Sequence, residues 1–472
     1  MTYDAVVVGS GPNGLAAAIT LAAAGRHVHV LEAADTPGGG TRSAELTLPG
    51  FVHDVCSTVH PLVLASPFFR RLPLADLGVE LVHPEVPYAH PLDGGRAAVL
   101  HRDVAETAAG LGHDDGAYRK LMGPLVRNWQ GIVGDTLKPL RPPRHPLAMA
   151  RFGALAVQSA AGMAQWRFET QEARALVAGA AAHSMLPLER SPTAGVGLML
   201  GMLAHAVGWP AVKGGSQVLA DALVKDLEQL GGTITLGTRV GSFAEIPRAR
   251  TVLFDVTPRQ LLAIAGDRLP GRYRAALTRY RYGPGVFKID WALDAPIPWT
   301  NPDVARAGTV HVGGTLLEIA AAERAPHLGE HAERPYVLLV QQTVFDLSRA
   351  PRGKHTAWAY CHVPSGSTVD MTDAIESQVE RFAPGFRDVV AARATRDTRA
   401  VERHDENYVG GDINGGVQDL AQQFARPAAR WTPYRTPRRG INLCSSSTPP
   451  GGGVHGMCGY WAAKAALRRE LR

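Results

Sequence analysis

Apolar and polar residues near the start of the chain follow a pattern that predicts a strand, a helix and a second strand. Tyr3–Val8 is an apolar, largely β-branched run with the length of a buried parallel strand. The alanine-rich stretch Leu15–Ala24 favours a helix that ends at Gly25, and His27–Leu31 predicts the second strand. This succession predicts a βαβ unit and therefore a parallel sheet covered by helices.

Later segments add further elements of both kinds. The pattern predicts an amphipathic helix over 217–230, strands over 233–236, 251–256, 286–293 and 440–444, and a last helix over 457–471. The most apolar stretch, Ala194–Val207, is shorter than the roughly 20 residues that a membrane span needs. We expect a helix there that packs in the core rather than one that lines a cavity. Four prolines between 139 and 146 exclude one continuous helix and predict a loop or a hinge.

Composition narrows the classes of protein that fit. A chain of 472 residues with 45% hydrophobic side chains predicts two or three domains with ample cores. Four cysteines without a CxxC pair and 18 histidines without metal spacing predict neither a thiol redox centre nor a metal site. The net charge of +6 comes without a block of like charges, so no nucleic-acid partner is expected. A strand that begins at Tyr3 leaves no room for a signal peptide, which with the free thiols predicts a cytoplasmic protein.

A glycine motif of the form G-x-G-x-x-G joins the first predicted strand to the first helix. Gly9 permits the tight turn, Gly11 lets a pyrophosphate approach the backbone, and Gly14 lets the helix pack close to the strand. Pro12 suits a first helical turn, and Asn13 completes the loop. The exposed N–H groups and the positive end of the helix dipole would then hold phosphates.

An acidic residue completes this fingerprint. Glu32 ends the second strand, where a carboxylate can accept hydrogen bonds from both hydroxyls of an adenosine ribose and would repel a 2′-phosphate. Strand, helix, strand and acid in register predict a dinucleotide site but do not separate NAD from FAD. A second glycine cluster follows, from which we expect Arg42 to reach the pyrophosphate. The further contacts predicted in this cluster are Gly39, Gly40 and Thr41.

The stretch Val6–Arg42 resembles the FAD-binding start of the flavin amine oxidase and phytoene desaturase superfamily. Three glycines stand before Thr41, where the family motif has two, so the closest approach to the cofactor is left open between Gly39 and Gly40. The resemblance implies FAD as the cofactor. It also implies that Val240 binds adenine through its backbone, and that Lys288, in an apolar strand, bonds through water to flavin N5.

The end of the chain carries a second resemblance. Segments 410–416, 434–437 and 447–459 resemble the branch that includes the pyridine nucleotide-disulfide oxidoreductase domain-containing proteins. In this superfamily the last strand, loop and helix close over the flavin, which implies contacts from Gly452, Gly453 and Val454 and a catalytic role for His455. Covalent attachment of the flavin, through His455 or Cys458, is left open.

Other conspicuous side chains have two interpretations. His53, Asp54 and His60 would either face the flavin or form a surface turn and a histidine with internal partners, and we favour the second interpretation. An amine oxidase would need an aromatic cage near the flavin. The candidates near the last motif are Trp431, Tyr434, Tyr460 and Trp461.

Together these features predict an α/β fold with a discontinuous Rossmann-like FAD-binding domain of the glutathione reductase type. That domain would comprise 1–70, 209–260 and 401–472, and an inserted α+β substrate-binding or cap domain would comprise 71–208 and 261–400. The predicted function is FAD-dependent desaturation or saturation of an apolar or amphipathic small molecule through hydride transfer at flavin N5. The alternatives are a flavin amine oxidase and a non-catalytic FAD-bound interaction protein.

The electron acceptor is left open, with oxygen and quinone as candidates. A second dinucleotide fingerprint is absent from the sequence, so no stable NADPH site is expected. Peripheral membrane contact and a homo-oligomer are also left open.

Overall fold

The computed structural model describes residues 2–472, and its strands form two main sheets and two short pairs. In chain order the strands are β1 (Tyr3–Val8), β2 (Val28–Leu31), β3 (Ser43–Glu45), β4 (Val52–Asp54), β5 (Leu81–Val82), β6 (Val86–Leu92), β7 (Arg96–Leu100), β8 (Ala211–Val212), β9 (Thr233–Thr235), β10 (Ala249–Phe254), β11 (Gly285–Leu293), β12 (Ala307–Val312), β13 (Val337–Val340), β14 (His355–Val363), β15 (Val390–Arg396) and β16 (Ile441–Leu443).

Helices fill the connections between these strands. They are α1 (Pro12–Ala22), α2 (Pro61–Ala65), α3 (Val104–Ala109), α4 (Asp115–Arg127), α5 (Trp129–Thr136), α6 (Pro146–Ala156), α7 (Ala160–Arg167), α8 (Gln171–Ala182), α9 (Thr193–Ala206), α10 (Gln217–Gln229), α11 (Pro258–Ala265), α12 (Gly271–Thr278), α13 (Pro302–Ala305), α14 (Leu316–Arg324), α15 (Thr372–Phe382), α16 (Thr398–His404), α17 (Leu420–Phe424) and α18 (Met457–Arg469).

The five-stranded sheet is parallel throughout, in the order β16-β10-β1-β2-β9. Its central strand β1 is an apolar run because helices cover a parallel sheet on both faces. On one side α1 and α18 pack so closely that a Cβ on Gly459 would lie 1.7 Å from the carbonyl oxygen of Asn13. The strands come from the start, the middle and the end of the chain, which makes this Rossmann-like unit discontinuous.

The seven-stranded sheet is mixed, in the order β15-β11-β14-β13-β12-β6-β7. One face is apolar, with Ile289, Trp291 and Leu339 in a core that α15 covers. Because side chains alternate across a strand, the residues between them point to the opposite face. That face carries Tyr88, His90, Lys288, Thr309, His311, Leu338, Trp358 and Tyr360, aligned by the strand registers.

The predicted fold class is confirmed, since the chain is a mixed α/β structure with a Rossmann-like sheet. Helix α9 occupies the predicted apolar stretch; Leu198 and Met202 are buried in the core, whereas Leu200 reaches a cavity. The proline-rich segment forms turns before α6 begins at Pro146. Within residues 2–472, no helix combines the length and apolar character that crossing a membrane requires.

Candidate active site

The turn between β1 and α1 is built by its glycines. Gly9 has a φ of +100°, a left-handed conformation that side chains rarely adopt. A Cβ on Gly14 would lie 2.1 Å from the carbonyl oxygen of Gly9, so the helix approaches the strand only because position 14 is glycine. Gly11 caps α1 without a side-chain partner for the first helical N–H groups. The turn therefore presents the start of a helix as an open anion-binding site.

Asp255, just beyond β10, supports this turn from behind. Its Oδ2 accepts a hydrogen bond of 2.8 Å from the backbone N–H of Gly14. A Cβ on Gly11 would lie 2.8 Å from the same oxygen, so this carboxyl also requires glycine at position 11. Burial raises the pKa of Asp255 to about 8. Sequence reasoning missed this residue; the available signal was an acid at the carboxyl end of a strand predicted to be buried.

Glu32 stands at the carboxyl end of β2 and is almost completely buried. Its Oε2 accepts hydrogen bonds from the backbone N–H and the hydroxyl of Ser10, at 2.8 and 2.6 Å. Its Oε1 accepts one from Arg42 at 3.1 Å. The structure therefore places the Arg42 guanidinium against the carboxylate, and both side chains line the same cavity.

The second glycine cluster folds back on the first. A Cβ on Gly39 would lie 3.2 Å from the Cα of Gly11, so Gly39 is the glycine that meets the turn between β1 and α1. A Cβ on Gly40 would lie 2.0 Å from the Tyr408 hydroxyl, so Gly40 is required by a different neighbour. The Thr41 hydroxyl donates a hydrogen bond to the carbonyl of Gly38 and holds the loop closed.

A cavity of about 690 Å³ runs from this turn to the mixed sheet. Its nucleotide end is lined by Gly9, Gly11, Pro12, Asn13, Glu32, Gly39, Gly40, Thr41, Arg42 and Val240. Gly453 and Val454 also line the cavity, whereas Gly14 and Gly452 do not. We call the opposite end the inner chamber, defined by Val59, His60, Leu62, His183, Met185, Leu200, Trp209, Thr309, Leu338, Val340, Trp358 and Tyr360.

Lys288 lies behind the inner chamber rather than in its wall. Its ammonium is bonded to Asp290 and lies 5.0 Å from the ring centre of Trp358, which does line the chamber. A small pocket reaches Lys288 and shares Cys56, Tyr360 and Tyr408 with the lining of the main cavity. Burial lowers the pKa of Lys288, and the Asp290 carboxylate opposes that change. Contact between this lysine and a flavin stays a prediction.

The interpretation of His53 and Asp54 as a surface turn is wrong. Both residues are fully buried in β4. The Asp54 carboxylate tolerates burial because it forms an internal ion pair with Arg349 at 3.1 Å. Burial by itself raises the pKa of Asp54. The Arg349 guanidinium and the hydrogen bonds from Ser216 and other groups outweigh this effect and lower the pKa to about 2. His60 has an internal partner as expected, the Ser216 hydroxyl at 2.8 Å, but it also lines the inner chamber.

His455 is buried outside the cavity lining. Its Nε2 lies 3.2 Å from the carbonyl of Gly451, and its Nδ1 accepts a hydrogen bond of 3.0 Å from the N–H of Met457. Both ring nitrogens are therefore used to fix the loop that carries Gly453. In this arrangement the imidazole organises the loop, and its predicted catalytic role is not tested.

The four aromatic residues proposed for an amine-binding cage do not line the cavity. Trp431 is 98% exposed, and the Trp461 indole donates a hydrogen bond to the carbonyl of Leu137 outside the cavity. The aromatic residues that do line the cavity are Trp209, Trp358, Tyr360 and Tyr408. Trp358 and Tyr360 come from the predicted substrate domain, where the sequence showed no motif near them, whereas Trp209 and Tyr408 lie in segments assigned to the FAD-binding domain without being singled out.

The nucleotide end fits the adenine dinucleotide part of FAD. Its glycines let the turn pack against Asp255 and against the carbonyl of Gly9, where a Cβ would collide, and the helix start offers N–H groups to phosphates. The Oδ1 atom of Asn13 is buried at this surface without a hydrogen-bond partner. Clusters of His, Cys, Asp or Glu able to hold a metal ion are absent from residues 2–472.

Comparison with known proteins agrees with this geometry. The profile of the NAD(P)-binding Rossmann-like domain family matches residues 7–72. Pyridine nucleotide-disulfide oxidoreductase domain-containing protein 2 of Rattus norvegicus is 27% identical, over 99% of this chain and 93% of the relative. Phytoene dehydrogenase of Streptomyces griseus is 26% identical, over 83% of this chain and 78% of the relative. Putrescine oxidase bound to putrescine superposes with a TM-score of 0.65 at 19% identity, covering 99% and 100% of the two chains.

The chain is thus similar to a phytoene dehydrogenase in sequence and to putrescine oxidase in fold. A TM-score of 0.65 at such low identity concerns the fold, and the fold is a Rossmann-like unit joined to a mixed sheet. The sequence relatives support an FAD-dependent oxidoreductase. They leave the substrate to be inferred from the inner chamber.

Proposed function

We propose that this protein is an FAD-dependent oxidoreductase that desaturates, or in the reverse direction saturates, a small apolar or amphipathic molecule. When bound, FAD would supply the group that accepts or returns a hydride. The protein would bind the dinucleotide at the nucleotide end of the cavity and the substrate in the inner chamber. One continuous cavity joins the two ends.

The charge distribution along the cavity is the observation that carries this proposal. The acidic side chains of the lining are Glu32, Asp255, Asp405 and Glu406. All four belong to the nucleotide end, because Asp255 bonds to Gly14, Asp405 lies beside Gly39, and Glu406 pairs with Arg239 next to Val240. Within the described chain, the lining of the inner chamber contains no carboxylate and no guanidinium. A cationic substrate would lose its hydration there without a charged partner, which is strongly unfavourable. A neutral substrate pays no such penalty.

The walls of the chamber suit an apolar body. Met185, Leu200, Leu338 and Val340 offer aliphatic surface, and burial of apolar area favours binding by about 25 cal/mol per Å². The Trp358 and Tyr360 rings lie nearly parallel, with an angle of 16° between their planes, and add aromatic surface to this lining. Apolar and aromatic surface of this kind suits an apolar ligand.

Lys288 places a positive charge behind the uncharged lining of the inner chamber. Its ammonium lies over the ring of Trp358, and Asp290 keeps it from being an unpaired buried charge. A positive group at this depth stabilises negative charge that develops nearby. We propose this as its function in the reaction.

Purification tests the first half of the proposal. The protein should be yellow, and heat or acid should release FAD from it. A colourless protein that does not take up added FAD would overturn the proposal. Reduction with dithionite followed by oxygen or a quinone then separates an enzyme from an interaction protein, because a flavin that no acceptor reoxidises would favour a non-catalytic role.

Substrate class is tested by anaerobic mixing of the holoenzyme with neutral and cationic probes. Partly saturated isoprenoid alcohols represent the neutral class, and putrescine and octylamine represent primary amines. We expect the neutral class alone to bleach the flavin. Bleaching by amines would favour the amine oxidase alternative, for which the aromatic lining of the chamber is the supporting observation.

A further inference from the structure

Helix α6 is apolar on both of its sides. The inner side chains Phe152 and Leu155 are buried in the core. On the opposite side Leu147, Ala150 and Ala154 are exposed at the spacing of successive helical turns, and Leu147 leaves 87% of its surface uncovered. A surface helix of a globular protein normally presents polar or charged side chains on its outer side. The outer side of α6 therefore has the composition of a surface that is covered by something else.

Three more large apolar side chains are exposed on the segments next to this helix. Leu140, in the proline-rich turns before α6, is 63% exposed. Val157 directly follows the last residue of α6 and is 50% exposed, and Trp166, near the end of α7, is 78% exposed. Single apolar side chains are ordinary on protein surfaces, whereas several on adjoining elements mark an interaction surface.

The charged side chains of the same part of the chain are almost all basic. Residues 120–168 contain seven lysines and arginines and a single acid, Asp135, whereas the whole chain has 49 basic and 43 acidic residues. Asp135 is buried and already pairs with Lys138. The six other cations form no ion pair with any of residues 2–472; they are Lys120, Arg127, Arg141, Arg144, Arg151 and Arg167. The positive charge of this segment is therefore local, and the protein does not neutralise it.

Contacts between neighbouring elements bring these groups together. Asp135, near the end of α5, accepts a hydrogen bond of 3.0 Å from the backbone N–H of Arg144 and so holds the basic turns beside α5. The Arg151 side chain donates a hydrogen bond to the carbonyl of Lys120 on α4. Burial and the nearby charge of Arg151 lower the pKa of Arg167, which places the end of α7 beside the middle of α6. We call this surface the α6 face and define it by Leu140, Arg141, Arg144, Leu147, Arg151, Val157 and Trp166.

We propose that the α6 face docks the protein on an anionic lipid surface. Its leucine, valine and tryptophan side chains would enter the boundary between headgroups and acyl chains, where tryptophan is favoured and apolar area is removed from water. Its arginines would lie at the level of the lipid phosphates, which a guanidinium binds through two parallel hydrogen bonds. Each basic side chain close to an anionic membrane contributes about 5-fold in affinity. This binding does not depend on the proposed function.

A second copy of this chain fits the α6 face less well. In a two-fold dimer the same patch meets itself, so the unpaired arginines of one copy would approach those of the other. Like charges opposed across an interface are strongly unfavourable. An acidic protein surface would pair with the arginines but would leave Leu147 and Trp166 against charged groups. A bilayer surface offers negative charge and an apolar medium side by side, which matches both kinds of side chain.

Vesicle flotation of the full chain loaded with FAD tests the proposal. Vesicles of phosphatidylcholine alone are compared with vesicles that also contain phosphatidylglycerol. We expect the protein to float with the mixed vesicles at low salt, to stay in solution with the neutral vesicles, and to detach from the mixed vesicles as salt is added, because salt screens the attraction. Failure to bind the mixed vesicles, or equal binding to both kinds, would overturn the proposal.

Matched leucine variants test the apolar part of the face. Leu147 and Leu317 are each the second residue of a helix, α6 and α14, and both are largely exposed. Glutamate is compatible with a first helical turn, so both variants should fold. Leu147→Glu should weaken binding to the mixed vesicles by at least about 10-fold, since it removes one inserted side chain and adds a negative charge. Leu317→Glu should bind like the unaltered protein, and equal weakening of both variants would refute the assigned face.

Matched arginine variants test the charged part. Arg144→Gln combined with Arg151→Gln should weaken binding by about 30-fold, at about 5-fold for each charge. The control is Arg272→Gln with Arg279→Gln, which removes the same charge from exposed positions at the two ends of α12. If both double variants weaken binding equally, net charge rather than the α6 face attracts the protein, and the proposal is wrong.

Tryptophan fluorescence tests insertion directly. The mixed vesicles should shift the emission to shorter wavelength, and brominated lipid should quench part of it, because an exposed indole would enter an apolar medium. Trp166→Phe should remove both effects. A shift that persists in Trp166→Phe would place a different tryptophan at the membrane and would overturn the assigned face.

Sedimentation without vesicles tests the second copy as the occupant. A dimer that Leu147→Glu dissociates would show that the α6 face is an interface between copies, and the docking proposal would then fail. A protein that binds the mixed vesicles through the α6 face, but whose flavin no acceptor reoxidises, would refute catalysis and leave the docking surface intact.

Discussion

The carboxyl of Asp255 accepts a hydrogen bond from the backbone N–H of Gly14 across 2.8 Å, although 241 residues separate the two in sequence. This contact joins the end of β10 to the turn that follows β1, and the two strands are neighbours in the parallel sheet. A buried acid therefore lies directly behind a turn built to receive phosphates. It carries a hydrogen in the folded apo-protein at neutral pH, since its pKa is about 8.

Asp255 should make the stability of the apo-protein fall as the pH rises. The unfolded chain releases this proton near pH 4, whereas the folded protein holds it until about pH 8. Between these values the folded state binds more protons, so the free energy of unfolding should decrease by up to about 1.4 kcal/mol per pH unit from this group. Asp255→Asn, neutral throughout, should show a flatter profile in urea unfolding. Parallel profiles for the two proteins would contradict the expectation.

Gly14→Ala should abolish FAD binding. The new Cβ would lie 2.1 Å from the carbonyl oxygen of Gly9, so the helix and the turn must move apart. We expect a loss of about 1–3 kcal/mol in stability as well, the usual cost of overpacking. The matched control is Gly134→Ala in α5, where a Cβ meets no atom within 4 Å and alanine should stabilise the helix by about 0.5–1 kcal/mol. Retention of FAD by Gly14→Ala would refute the assigned turn.

Glu32→Ala should weaken FAD binding by about 1.5–3 kcal/mol, because it removes charged acceptors for ribose hydroxyls. It also leaves Arg42 and Ser10 without their carboxylate partner. Fluorescence titration of apo-protein with FAD measures the change. Glu80→Ala is the control, since Glu80 forms an exposed ion pair with Lys213 and neither residue lines the cavity. Equal affinity of the two variants would show that Glu32 does not bind the ribose.

Lys288→Met should leave FAD bound and slow one half-reaction by about 10- to 1,000-fold, the range for one positioned electrostatic group. The single change also leaves Asp290 buried without its partner, at an expected cost of about 3–5 kcal/mol. The double variant Lys288→Met with Asp290→Asn should recover most of that stability but not the rate. Stopped-flow reduction and reoxidation measure the two rates. Unchanged rates in a stable double variant would exclude a role in the reaction.

The parts of the site that sequence could predict are those whose residues are close in the chain. The turn at Gly9, Gly11 and Gly14 and the acid at Glu32 form one βαβ unit, so its motif is recognised from neighbouring residues, although the side chain that requires glycine at position 11 is the distant Asp255. The prediction was wrong where the deciding contact joins residues that are distant in the sequence. His53 and Asp54 read as a surface turn because nothing near them in sequence shows that Arg349 lies opposite.

The sequence by itself determined the parallel sheet and the glycine turn between β1 and α1, and it placed Glu32 at the end of β2, because strand periodicity and backbone freedom act over short distances along the chain. Only the tertiary structure decided the inner chamber, because its lining comes from α2, the C-cap of α8, α9, several loops and alternate positions of β12, β13 and β14. The alternation of side chains along one strand predicts that the strand has two faces, but it does not predict which face lines a cavity. Strand register across the sheet brings Lys288, Tyr360 and Leu338 onto one face, and helix α8 brings His183 to it.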